Sequence, residues 1–164
     1  MEHSLKTISP DGIPEANSKA ELYRLLNEPE ESESICYDVL AIQPDDQKAL
    51  RILGLALTDQ FDGSPSDRYQ QAEAAFQQLS DSYERLYYLG LLHERRAKAQ
   101  LRAGRAAHTL TVLLEQAMAC YADAEKLRPV GNDDALLRWN RCVRLLQGRS
   151  DWHREPEPVE TSDV

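Results

Sequence analysis

Apolar residues along this chain recur three and four positions apart, and turn-forming residues separate one such run from the next. That spacing lines up side chains on one face of successive α-helices, and no strand-like alternation with hairpin punctuation appears. Seven helices are predicted. The first covers residues 17–27, with Ala20, Tyr23 and Leu26 on one face, and Pro29 opens a second that runs through Ile35, Val39 and Ile42 to residue 43. The third, 46–60, carries Ala49, Leu50, Ile52, Leu53, Leu55, Ala56 and Leu57. It is apolar nearly all round and is therefore expected to lie buried between neighbours, with an Asp of "QPDD" as its cap. "DGSPSD" makes a loop before a fourth helix over 67–79. A long fifth, 82–103, is broken by Gly104, and a long sixth covers 107–127. After the turn "RPVGNDD" a seventh, 133–147, ends at Gly148.

The ends lack this periodicity. Residues 1–15 are expected to be a flexible N-terminus, 16–147 the helical domain, and 148–164 a disordered acidic tail in which Trp152 is the one candidate anchor. No window is apolar enough for a transmembrane helix, and the N-terminus has neither the basic nor the apolar part of a secretory signal. A cytoplasmic protein is the expectation. Three scattered cysteines, Cys36, Cys120 and Cys142, fit that compartment, because they have no CxxC spacing and each sits in an apolar helical stretch.

Two stretches align with each other. "ICYDVLAIQPDDQKALRILGLAL" and "ACYADAEKLRPVGNDDALLRWNRCVRLL" share an aromatic, an apolar step, a proline and a capped helix, and "AEAAFQQLSDSYERLYYLGLLHER" repeats the scheme without the proline. In this the chain resembles the tetratricopeptide repeat family, over roughly residues 16–147. Leu53-Gly54 with Leu50 and Leu57, and Leu89-Gly90 with Leu86, match the family's first helix. Its second helix is matched by Ala72, Phe76 and Leu79, by Ala117, Tyr121, Ala124 and Pro129, and more loosely by Ser32, Cys36, Val39 and Pro44. The resemblance implies an all-α helical-hairpin solenoid of three pairs plus a C-terminal capping helix. Insertions lengthen the second and third pairs, and His93 stands where the family prefers an aromatic. The closing segment also resembles the last helix of some bacterial repeat proteins.

Charge narrows the partners. The net charge is −9, yet residues 65–110 hold five acids against seven bases, whereas residues 1–64 hold thirteen against five. An acidic protein repels nucleic acid and anionic membranes at long range, so only the basic stretch 93–108 offers a foothold for either. No zincin, P-loop, GxGxxG, GxSxG or EF-hand pattern occurs, no cofactor is implied, and an enzyme is not expected.

One constellation stands out. Arg95, Lys98, Arg102 and Arg105 fall within an arc of about 80° on the fifth helix, with Tyr87, Leu91 and Glu84 on the same face nearer its start. In tetratricopeptide repeats the first helix of each pair lines the concave groove. The resemblance therefore implies a groove of Tyr87, Leu91, Arg95, Lys98 and Arg102, flanked by Arg51 and Leu55 of the third helix and by Arg144 of the seventh. Such a floor suits a peptide or partner helix with acidic residues. The competing expectation is a solvated face whose charges pair with acids on the fourth or sixth helix. The terminal-carboxylate clamp known in the family is not implied, since Leu55, Tyr88 and Leu91 occupy several of its positions. On the seventh helix Leu137, Trp139, Val143 and Leu146 are expected to face inward as a lid, with Arg138 and Arg141 as outer-face solubilisers. Three functions follow: a protein-interaction module, a subunit that pairs with another chain or a second copy of itself, and, more weakly, an anion or nucleic-acid binder through residues 93–108.

Overall fold

The computed structural model describes residues 2–64 and 68–149. Among these, the chain forms seven helices and no strand: α1 (Ile13–Leu25), α2 (Pro29–Ile42), α3 (Gln47–Asp59), α4 (Tyr69–Gln77), α5 (Ser82–Arg102), α6 (Ala107–Leu127) and α7 (Asp134–Gln147). The predicted acidic tail beyond residue 149, Trp152 included, lies outside the described residues, as do the second half of the predicted loop and, with it, the start of the predicted fourth helix.

Local signals account for several of the boundaries. Asp46 accepts a hydrogen bond from the Ala49 amide at 2.8 Å, and Asp81 one from Glu84 at 2.8 Å, each satisfying an orphan donor of the first turn. Asn27 adopts φ 61° just past α1, and Gly104 adopts φ 73° just past α5, both left-handed exits from a helix. The main departure is at the start, where a 3-10 turn over Pro10–Gly12 leads into α1 at Ile13, four residues ahead of the predicted start. Pro14 suits a first helical turn, and Ile13 is buried with Val39 and Ala49.

Each helix packs on the next in sequence, from α1 on α2 through α6 on α7, and α1–α3, α3–α5 and α5–α7 also meet. α3 sits as the sequence implies, burying Ala49, Leu50, Ile52, Leu53, Gly54, Ala56, Leu57 and Thr58. Its partner surface comes from Ala20, Cys36, Ala72, Phe76 and Leu79, and a second core joins α5, α6 and α7 around Ala97, Leu110, Leu114, Ala117, Tyr121 and Cys142.

Two contacts recur. A Cβ added to Gly54 would stand 2.2 Å from the Phe76 ring, and one added to Gly90 would stand 2.6 Å from the Tyr121 ring. In both α3–α4 and α5–α6, a glycine on the first helix thus receives an aromatic ring from the second. Ala20 and Cys36, both fully buried, occupy the corresponding places in α1–α2.

Burial also governs the thiols. It pushes Cys36 and Cys142 from 9.0 up to about 12, and Cys120 upward as well. Since these raised pKa values favour the neutral thiol in the folded state, their contribution is complete below about pH 9 and is lost as pH climbs toward about 12. Alkylation at pH 8 should spare Cys36 and Cys142 in the folded protein and modify both in denaturant, and stability should fall from about pH 9 upward. Mass spectrometry of the alkylated protein and urea titrations across that pH range would check this; rapid native labelling of Cys142 would contradict it.

Candidate functional site

The side on which α1, α3, α5 and α7 meet carries a row of linked charges. Asp59, at the end of α3, ion-pairs with Arg24 of α1 (2.6 Å) and Arg95 of α5 (2.6 Å). Arg95 also donates to the Thr58 hydroxyl at 2.7 Å. One turn-row along, Arg51 of α3 pairs with Glu84 of α5 at 2.8 Å. Toward α7 the centre is Glu94, whose side chain is fully buried. It accepts from the Tyr121 hydroxyl at 2.6 Å and from Lys98, and Arg138 of α7 approaches at 3.4 Å. A buried carboxylate is tolerated only with such company, because desolvating a lone charge costs several kcal/mol.

Tyrosines fill the space between the charges. Tyr83 and Tyr87 stack with centroids 6.1 Å apart, Tyr87 meets Tyr88 edge-on at 5.1 Å, and Tyr121 closes the cluster from α6 at 5.9 Å. The Tyr83 hydroxyl donates to Asn132 at 3.2 Å, tying α5 to the turn before α7. Burial and the nearby Asp134 hold the Tyr83 hydroxyl above its usual pKa, so it stays a neutral donor.

The residues expected in the groove fare unequally. Tyr87, Leu55 and Arg51 are half-buried on this side. Arg95 and Lys98 are there too, but each already has an acid, Asp59 on α3 and Glu94 on α5 itself rather than acids on α4 or α6. Leu91 is only 2% exposed, so it supports the surface from beneath and offers nothing to a partner. Arg102 and Arg144 are exposed and form no ion pair among the described residues. Arg144, however, stands about 120° round α7 from Arg138, the residue that faces α5.

The lid is rotated relative to expectation. α7 buries Ala135 and Cys142 and turns Arg138 onto Glu94, while Leu137 and Trp139 are 64% and 37% exposed. Trp139 instead lines a surface cleft with Ala122, Glu125, Leu136 and Asn140. Residues 135, 138, 142 and 145 share the i, i+3, i+7 stripe, and that stripe wins because small side chains at 135 and 142 let α7 approach α6 closely.

Glu94, Asp59, Arg24 and Arg138 are the members that sequence reasoning missed. For Glu94 a signal existed: it shares its helical face with Gly90, Leu91 and Ala97, a small and apolar set unsuited to a solvated acid. His93 is the one histidine of the basic stretch that packs inside the fold. Its Nδ1 lies 3.3 Å from the Tyr69 hydroxyl, burial lowers its pKa, and no group of three metal-ligating side chains occurs among the described residues. No helix among the described residues is long and apolar enough to cross a membrane.

Comparison with protein-family models, curated proteins and solved structures finds no match to this chain.

Proposed function

We propose that this chain is a tetratricopeptide-like helical repeat acting as a non-catalytic interaction module, with the side shared by α1, α3, α5 and α7 as its partner-binding groove. The repeated glycine–aromatic contact and the approach of alternate helices support the architecture. The observation that carries the function is electrostatic. On this side, among the described residues, Arg24, Arg51, Arg95, Lys98 and Arg138 stand against Asp59, Glu84 and Glu94 and, beside Tyr83, Asp134, a local positive excess on a protein whose net charge is −9. Half-buried tyrosines between the arginines supply rigid, amphipathic contact area. An acidic peptide or partner helix is the occupant this surface suits.

A second reading, self-assembly end to end, draws on the apolar side chains left in water at both ends of the helix row. Leu22, Leu25 and Leu26 of the α1 end are 50%, 75% and 57% exposed, and Leu137 and Trp139 stand out at the other. Photo-cross-linking separates the two. With a benzoylphenylalanine at Tyr83, ultraviolet illumination in native lysate should trap a partner that added poly-glutamate displaces, whereas the same group at Glu115 on α6 should trap none. Adducts from Glu115 alone would overturn the groove, and adducts of the chain with itself from Leu25 or Trp139 would favour self-assembly.

A further inference from the structure

α5 has another basic side, about 100° round from Arg95. There Gly63, Arg96, Gln100, Arg105, Ala106 and Thr109 line a cleft of about 430 Å³, within the range of roughly 300–1,000 Å³ usual for small-molecule sites. Its charge is one-sided. Neither Arg96 nor Arg105 has a carboxylate within ion-pair distance among the described residues; Asp62 and Glu73, the nearby acids, stand beyond it.

Both guanidiniums are nonetheless held in place. Arg96 lies flat on the Tyr69 ring, 4.0 Å from its centroid, and close enough to the Tyr69 hydroxyl to lower that group's pKa against the rise that burial causes. Arg105, just past the Gly104 break, donates through Nε to the Gly63 carbonyl at 3.2 Å, and its terminal nitrogens make no hydrogen bond among the described residues. The Gly63 backbone is itself fixed, since it packs so closely on the α5 carbonyl of Ala99 that a Cβ would come within 2.6 Å of it. On the remaining wall Ala106 and Thr109 belong to the start of α6, whose N–H groups no side chain caps. Two polar atoms of the lining are buried without a partner: the Nε of Arg96, a donor, and the Oε1 of Gln100, an acceptor. Polar atoms left buried and unpaired are destabilising, so each is better satisfied by a bound partner.

We propose that this cleft binds a small phosphorylated molecule that also carries a hydroxyl group. Two fixed guanidiniums that no carboxylate ion-pairs among the described residues match the dianionic charge of a phosphate monoester, and the α6 N–H groups add donors to its oxygens. The free acceptor on Gln100 calls for a donor on the same ligand, which a sugar hydroxyl supplies. The site is independent of the groove, because Arg95 and Lys98 are committed to Asp59 and Glu94.

Amide spectra of the ¹⁵N-labelled full chain, titrated separately with inorganic phosphate, ribose and ribose 5-phosphate, test this. Saturable shifts are expected at Gly63, Ala106 and Thr109 with both phosphates and none with ribose, ribose 5-phosphate binding several-fold the tighter. Arg105→Gln, an exposed position whose loss leaves the core intact, should weaken binding by about tenfold, and Arg102→Gln should leave it unchanged. Equal affinity for the two phosphates would overturn the hydroxyl-bearing ligand in favour of the free ion. Unsaturable shifts scattered over basic residues, or unaltered binding by Arg105→Gln, would overturn the site itself.

Discussion

Replacing Gly54 by alanine is expected to lower folding stability by about 2–3 kcal/mol, although alanine is intrinsically the better helix residue by about 1 kcal/mol. The added methyl would stand 2.2 Å from a carbon of the Phe76 ring. The ring has nowhere to go, being fully buried and stacked on Tyr88 with centroids 5.3 Å apart. Either α3 and α4 separate or the ring leaves its rotamer, and each loses packing of the main core. Urea unfolding would measure the loss. Phe76→Leu on its own should also destabilise, by opening a void, but combined with Gly54→Ala it should cost less than the two losses added, with a coupling of about 1 kcal/mol or more. Simple additivity, or a stabilised Gly54→Ala, would show that the helices do not depend on this contact.

Glu94→Ala should be costlier still, about 3–5 kcal/mol. The change opens a void at a fully buried position and strips the Tyr121 hydroxyl of its one hydrogen-bond partner among the described residues. Arg138 and Lys98 keep partial access to water, with side-chain exposures of 36% and 27%, so they suffer less. Leucine at the same position fills the void and removes the charge, so Glu94→Leu should lose only about 1–2 kcal/mol, chiefly from the orphaned hydroxyl. Thermal unfolding of the two variants decides the matter. Equal, small losses would mean that the carboxylate is solvated rather than buried, and that α7 is not tied to α5 through it.

How much of this was legible in the sequence depends on the range of the forces involved. α3 was placed by its own composition, because a helix apolar all round has only one environment available to it. The resemblance to a repeat pattern singled out Gly54, Phe76, Gly90 and Tyr121, but not that each glycine receives the ring of the next helix, which depends on how the two helices cross. Charge was harder. The arc of Arg95, Lys98 and Arg102 was visible, but the acid that Arg95 meets is Asp59, thirty-six residues away, and pairing at that distance follows from helix stacking, not from local spacing. The same blindness assigned Arg138 to solvent and Trp139 to the core. The amphipathic stripe of α7 admits both rotations, and the deciding partners, Glu94 and the close surface of α6, belong to other elements. Arg96 escaped notice because a cation resting on an aromatic ring leaves no signature within its own helix.

The order in which the helices meet also bears on how the chain acquires its shape. Each packs chiefly on its successor, so nearly every interface closes a short loop of chain and forms at small entropic expense. α5 and α6, at twenty-one residues each, make the longest hairpin of all and have only the short run around Gly104 to close. They are the expected starting point for folding, and the outer helices α1 and α7, each with a single sequence neighbour among the helices, are expected to join later. A chain assembled in that way tolerates insertions between its hairpins, because a longer connection delays no distant pairing.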